Sequence, residues 1–282
     1  MSSENPKVSV VIPSFDGYRG GNVPKLLEDL KGQTFQDFEL HIVKGVRPNG
    51  RARNEGVKLS KGRVLVFIDD DVRLGHNRVI ENLIKPFEED EAIGIAGTSR
   101  LLPTDANWFQ KASARQLGRA IFPTVDRIVD SDMATHDCLS MPKDLYEGIG
   151  GEHDELVRGT DPDLRYRVRK AGLRVVIVPN TWIYHPLPKT LSKLIRKNFR
   201  NGIGAGWVFK NYPHLAYEAP DAKVAEFAPK RSFPYRVVRA LWRLILALIT
   251  FKFIRFASSL SYISGYFWGL VKKSEDIEKM VL

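Results

Sequence analysis

Cysteine is nearly absent: the 282 residues contain one, Cys138. That excludes an intrachain disulfide and any zinc cluster built on cysteines, and one lone thiol fits a reducing compartment. Long apolar runs are missing as well. The uncharged run Phe256 to Val271 falls short of the roughly 20 residues that cross a bilayer as a helix. The opening MSSENPKVSVVIP lacks a basic segment leading into an apolar core, so no secretory signal is expected there. There is no internal repeat and no low-complexity tract. Acidic residues are outnumbered, with 33 Asp and Glu against 43 Lys and Arg, a formal charge of +10. Such a balance points to an anionic partner: a phosphorylated ligand, an acidic membrane surface or nucleic acid. Hydrophobic residues make up 43%, ample for one large core with an appendage.

The first two thirds alternate strand-like and helix-like text. KVSVVI (7–12), FELHIV (38–43), RVLVFI (63–68) and residues 92–97 are short, apolar and rich in β-branched residues. Between them, 24–31, 51–60 and 78–87 carry apolar residues at helical spacing, and Pro24 suits a first turn. Strands that are apolar on both faces, separated by helices, predict an α/β fold with a mainly parallel sheet. Residues 100–184 are less regular. A helix is expected over 161–171 and a strand over 174–178, stopped by Pro179.

In such a sheet, ligands bind beyond the carboxyl ends of the strands. Three of those ends are polar: Pro13-Ser14-Phe15-Asp16, Lys44-Gly45-Val46-Arg47 leading to Arg53, and Asp69-Asp70-Asp71. Carboxylates beside guanidinium groups suit a phosphorylated ligand held through a divalent cation, which takes one or two protein carboxylates. A plain strand-to-turn exit is the alternative for the Asp run, but three Asp after five apolar residues argue against it. Farther along, Asp161 reads either as a chemical group or as the N-cap of a helix with Pro162 at its first position. His185 follows a strand and, taken alone, is more often structural.

Three stretches in order, VSVVIPSFDG, ARNEGVKLSKGRVLVFIDDDV and GIGGEHDELVRGTDPDLRYRVRKAGLRVVIVPNTWIYH, closely resemble the family 2 inverting glycosyltransferases over about residues 7–186. The resemblance implies a GT-A fold: a nucleotide-binding half over about 1–100 and an acceptor half over about 101–186. It implies a nucleotide-diphospho-sugar donor contacted by Pro13, Ser14, Phe15, Asp16, Arg53, Asp69 and Asp70. It also implies Mg²⁺ or Mn²⁺ on Asp71 of the Asp-x-Asp element and on His185, with Asp161 as catalytic base. Two departures stand out. Thr160 replaces the family's Glu beside the base, and Lys44-Gly45 stands where the family reads the nucleobase with an acidic residue.

Residues 187–282 differ in composition and are expected to form a basic, amphipathic helical appendage. Lys189, Lys193, Arg196, Lys197 and Arg200 precede the apolar stretch 234–271. Arg236, Arg239 and Arg243 recur on one helical face, the pattern of a helix lying in a membrane interface. The alternative is a helical hairpin packed on the protein's own core. The expectation is an enzyme peripheral on the cytoplasmic face of the cell membrane, touching an anionic surface through 189–271. Its acceptor is then a polyprenyl phosphate or a polyprenyl-linked saccharide. A nucleic-acid module would explain the charge but not the four Asp that repel phosphates. A sugar-1-phosphate nucleotidyltransferase lacks its Gly-rich triphosphate loop here. A catalytically silent sugar-nucleotide-binding subunit is the remaining rival, raised by Thr160.

Overall fold

The computed structural model describes residues 5–215 and 233–272. In chain order the elements are β1 (Val8–Pro13), α1 (Asn22–Lys31), β2 (Phe38–Val43), α2 (Asn49–Leu59), β3 (Val64–Ile68) and β4 (Arg73–Leu74). Next come α3 (Val79–Ile84), α4 (Pro86–Glu89), β5 (Ile93–Leu101), α5 (Trp108–Gln116), β6 (Val129–Asp130), β7 (Cys138–Pro142) and α6 (Lys143–Gly148). The last are α7 (Thr160–Lys170), β8 (Arg174–Tyr184), α8 (Leu191–Asn211), α9 (Phe233–Ile249) and α10 (Phe253–Val271).

The strands form one sheet in the order β2-β1-β3-β7-β5-β8-β4, with β6 alongside β8. β1 pairs parallel with β2 and β3, and β5 with β8. β7 runs antiparallel between β3 and β5. Five strands therefore share one direction, and the sheet is mainly parallel. Every residue of β1 is buried, and Leu65 to Ile68 of β3 are too. One core layer, around Val10, Ile12, Leu26, Val66, Ile80 and Leu83, fills one face. A second, around Val11, Leu65, Phe67, Ile95, Met141 and Tyr146, fills the other. Strands apolar on both faces are what a sheet covered by helices requires.

Three boundaries differ from the sequence expectation, each for a local reason. The helix expected over 78–87 is two, because Pro86 lacks an N–H and begins a new turn. β8 runs through Pro179 to Tyr184. Its partner register jumps from Gly97↔Ile177 to Ser99↔Trp182, so Pro179 sits in an excursion that demands no ladder bond from β5. β7, unassigned from the sequence, places a strand from residues 138–142 at the centre of the sheet. The two halves expected at 1–100 and 101–186 are thus one sheet.

Beyond it, α8 and α10 lie against each other along glycines. A Cβ added at Gly202 would stand 2.1 Å from the Tyr262 carbonyl oxygen, and one at Gly206 2.1 Å from that of Tyr266. Gly265 and Gly269 repeat this against Phe199 and Ile203, at 2.1 and 2.2 Å. The Ser261 hydroxyl donates to the Ile195 carbonyl at 2.7 Å, and Asn198 donates to Ser258 at 2.8 Å. Adding a methyl group must push the helices apart, since the obstacle is backbone. Gly265→Ala is expected to destabilise by about 1–3 kcal/mol, the cost of overpacking. Gly148→Ala, where nothing lies within 4 Å, serves as the control. Thermal melts of the pair check this.

α9 has no such partner along its length. Val238, Trp242, Ile245 and Ile249 share one helical face and are 66%, 60%, 50% and 63% exposed. No helix among the described residues is long and apolar enough to cross a membrane. The segment 216–232, inside the stretch expected to meet a membrane, lies outside the described residues, as does 273–282.

Candidate active site

The carboxyl ends of β1, β2 and β3 meet as the sheet order requires. Pro13 and Ser14 are buried at the end of β1, and Ser14 Oγ donates to Asp70 Oδ2 at 2.7 Å. Phe15 is exposed, and the Arg47 guanidinium lies 3.9 Å from its ring centroid, joining the ends of β1 and β2 in one flat cationic-aromatic face. Asp16 Oδ1 accepts from the backbone N–H of Tyr18 and Arg19, at 2.9 and 2.8 Å. Those bonds hold its carboxyl below the usual range. They also turn the loop so that Arg19 reaches Asp70 at 3.3 Å and Asp71 at 3.4 Å.

The three Asp therefore separate. Asp69 points inward, where the buried Arg53 donates to it at 2.8 Å. Burial outweighs Arg53 and pushes the Asp69 carboxyl up to about 7. Asp70 is raised as well, by burial against the opposing pull of Ser14 and Arg19. Asp71 Oδ1 lies 3.7 Å from His185 Nε2. Burial lowers the His185 proton affinity, which leaves the imidazole neutral and its lone pair free. Its buried Nδ1 makes no hydrogen bond. Among the described residues no group of three or more His, Cys, Asp or Glu could hold a metal ion alone. The His185 Nε2 that faces the Asp71 carboxylate still fits Mg²⁺ or Mn²⁺, which draw the rest of their ligands from phosphate and water. Asp71 and His185 are the residues that would hold it.

Asp161 lies in the first turn of α7 and does not cap it; Gly159, in the left-handed region at φ 91°, precedes the helix. Instead Asp161 Oδ1 accepts two bonds from His136, from the backbone N–H at 2.7 Å and from Nδ1 at 2.8 Å. His136 Nε2 lies 2.6 Å from Glu152 Oε1 on its other side. Burial and Arg53 press the His136 proton affinity down, but the two carboxylates override them and hold it up at about 9. Asp161 is pushed up by burial, yet His136 and then Arg165 bring it well below the ordinary range. Both bonds go to Oδ1, and 35% of the side chain stays open to solvent.

Pro13 and Phe15 flank Ser14 at the end of β1, and the other residues expected from the sequence lie in two groups. Ser14, Asp16, Asp70, Asp71 and His185 form the outer one, and Arg53, Asp69 and Asp161 the inner one, with Arg53 electrostatically coupled to both Asp69 and Asp161. The sequence reading missed Arg19, His136 and Glu152. Glu152 lies on the side of His136 opposite Asp161. Nothing in the text around His136 marks it.

The family model described as "Glycosyltransferase like family 2" matches residues 21–204, more than half of the chain. The chain belongs to glycosyltransferase family 2. A mannosyltransferase from Pyrobaculum calidifontis, solved with GDP-mannose and Mn²⁺, is similar over 96% of this chain and 89% of its own. The identity is 15% and the TM-score 0.60, so the likeness is one of fold, the GT-A fold. GalNAc-T7, solved with UDP, GalNAc and Mn²⁺, is 13% identical over 76% of this chain and 52% of its own, with a TM-score of 0.48. No curated protein matches. This glycosyltransferase places the polar ends of β1 and β3, and Asp161 of α7, on the side of the sheet where an open α/β fold receives its ligand.

Proposed function

We propose that the protein moves a sugar from a nucleotide-diphospho-sugar to a hydroxyl of a lipid-linked acceptor at a membrane surface, by one inverting displacement. The observation that carries the reading is the pairing of a one-sided base with a cation-ready strand end. Asp161 is held through Oδ1, which leaves Oδ2 for a proton, and Asp71 lies 3.7 Å from His185 in the group that also holds Ser14, Asp70 and Arg19. The acceptor oxygen bonds to the anomeric carbon as its proton passes to Asp161. The bond from that carbon to the donor phosphate breaks, and its electron pair leaves with the nucleoside diphosphate. A divalent ion, when bound, offsets charge on that diphosphate. Arg19 adds a fixed positive charge at the same place. Asp69, Asp70 and Arg53 support a role in holding ribose or sugar, and Phe15 with Arg47 one in stacking on the base.

Asp71→Ala tests the metal reading. In thermal shifts with a panel of nucleoside diphosphates and nucleotide sugars, the wild type should gain stability from the best ligand more with Mn²⁺ than with chelator. The variant should lose that Mn²⁺-dependent part. Equal shifts with and without Mn²⁺ in the wild type would remove the ion from donor binding.

The membrane part rests on the exposed stripe of α9 and the basic first half of α8, an apolar face beside cations. Full-length protein should float with anionic vesicles and lose most of that binding when the chain ends near Tyr212. Equal flotation of both would exclude α9 and α10 as the anchor.

A further inference from the structure

A cavity of about 390 Å³ opens between the loop before α7 and the first half of α8. Its charged lining is all of one sign: Arg19, Arg158, Lys193, Arg196, Lys197 and Arg200, with no acidic residue. The arrangement follows from the sequence. Lys193, Arg196, Lys197 and Arg200 fall at i, i+3, i+4 and i+7, one face of α8. α10 packs on the opposite face, at Ile195, Asn198, Gly202 and Gly206, while Ile203, Trp207 and Val208 continue the basic face into the core along the second half of the helix. Gly204 lets the 157–158 loop approach, since a Cβ there would stand 3.1 Å from Arg158 Cβ. Arg19 is offset by Asp70 and Asp71, but Lys193, Arg196 and Lys197 crowd like charge along one wall of the concavity, which favours an anion there.

The cavity adjoins the candidate active site without being part of it. Arg19 lines the cavity and also reaches Asp70 and Asp71. Lys197, on the opposite wall, is close enough to act electrostatically on His185. The same α8 carries α10 on its glycines, and α10 leads back to the exposed stripe of α9. An anionic headgroup seated here therefore has the reacting centre on one side and apolar helices on the other.

We propose that this cavity binds the phosphate or diphosphate of the lipid-linked acceptor, rather than the diphosphate of the donor. The assignment rests on the acceptor reading above and names its subsite. Guanidinium and ammonium groups in this number match a multiply charged phosphate group through charge-assisted hydrogen bonds. On the reading above, Asp71 and His185 would hold the cation that meets the donor's diphosphate, outside this cavity. The cavity lining contains no aromatic ring on which a nucleobase would stack.

The test uses the full-length protein and the double variant Lys193→Gln/Arg196→Gln, two exposed side chains whose loss leaves the core intact. Calorimetric titration near physiological salt would compare three ligands: a water-soluble short-chain prenyl diphosphate, inorganic pyrophosphate, and GDP or UDP with Mn²⁺. A second double variant, Lys25→Gln/Lys31→Gln on α1, matches the change in net charge. Prenyl diphosphate binding should weaken by roughly tenfold or more in the α8 variant, the loss of one or two charged hydrogen bonds. Nucleoside diphosphate binding and the α1 variant should stay within about twofold of wild type. Equal weakening of the nucleoside diphosphate would assign the cavity to the donor, and no weakening, or the same weakening in the α1 variant, would remove the site. Pyrophosphate bound as tightly as the prenyl diphosphate would replace the lipid with a free anion. Binding needs no turnover, so a wild type that transfers no sugar would sink the proposed activity while leaving this measurement to stand or fall alone.

Discussion

Asp161→Asn is expected to lower sugar transfer by roughly a hundredfold or more while leaving donor binding within about twofold, the signature of a lost general base. The amide keeps the size of the side chain and can still accept the two bonds from His136 through its oxygen. What it loses is the basic Oδ2. Donor affinity should survive because none of the groups proposed for the donor is hydrogen-bonded to Asp161: Ser14, Asp70, Asp71 and His185 belong to the outer group, and Arg53 of the inner one bonds to Asp69. The low proton affinity of Asp161 shapes the expected pH profile. A carboxyl held well below the ordinary range by His136 and Arg165, against burial, stays ionised across the neutral range. The rate should therefore show no loss from this group between about pH 5 and 8, and any acid limb there must come from elsewhere. Asp69, pushed up to about 7 by burial, titrates in that window. Near-wild-type turnover by Asp161→Asn would remove Asp161 from the mechanism and favour an acceptor whose attacking oxygen is already anionic, a phosphate in place of a hydroxyl.

The legible parts of this protein were those written in local text. β1, β2 and β3 could be read because short segments dominated by Val, Ile, Leu and Phe have few other fates, and each is bounded by Pro, Gly or charge. The Asp run could be read because like charges after a buried strand need a reason. β7 could not. Cys138-Leu139-Ser140-Met141-Pro142 is short and carries no alternation, and only its long-range pairing with β3 and β5 makes it a strand. His136 and Glu152 escaped for a similar reason. They are separated by 16 positions, and each is an ordinary polar residue in irregular chain; their meaning lies in a 2.6 Å contact that no spacing encodes. Asp161 shows the opposite failure. Asp followed by Pro at a helix start fits a cap, and local chemistry alone supports that reading. The cap position is taken by Gly159, and the carboxylate is drawn away by an imidazole 25 residues earlier in the chain. Of the C-terminal helices, α10 packs on α8 through glycines, and α9 leaves its apolar stripe in the open.

Glu152→Gln should cost folding stability in a way that depends on pH. His136 is 2% exposed and lies between the carboxylates of Glu152 and Asp161. Its folded proton affinity, about 9, is raised above the ordinary 6.5. A group raised in the folded state contributes fully below its unfolded value and loses that contribution as pH climbs through the folded one. The window is therefore about pH 6.5 to 9, and the size is about 3 kcal/mol, at about 1.4 kcal/mol per pH unit. The same interaction seen from Asp161 is lowered, so it is present above the ordinary carboxyl value near 3.8 and fades as pH falls below it. These are two edges of one contribution and are not to be added. Breaking one side of a buried ion pair commonly costs about 3–5 kcal/mol, which agrees in scale. Because Asp161 remains to hold His136, Glu152→Gln should take only part of this, about 1–2 kcal/mol at pH 7. Denaturant unfolding at pH 6, 8 and 9.5 reads the effect as the difference between wild type and Glu152→Gln, which cancels the Lys and Tyr titrations common to both. That difference should shrink as pH rises. A difference that stays constant to pH 9.5 would mean that His136 is held neutral. Asp161 would then lack its cation and carry a higher proton affinity, closer to that of a strong base at neutral pH. The unfolding series and the Asp161→Asn rate profile thus constrain the same proton from two sides.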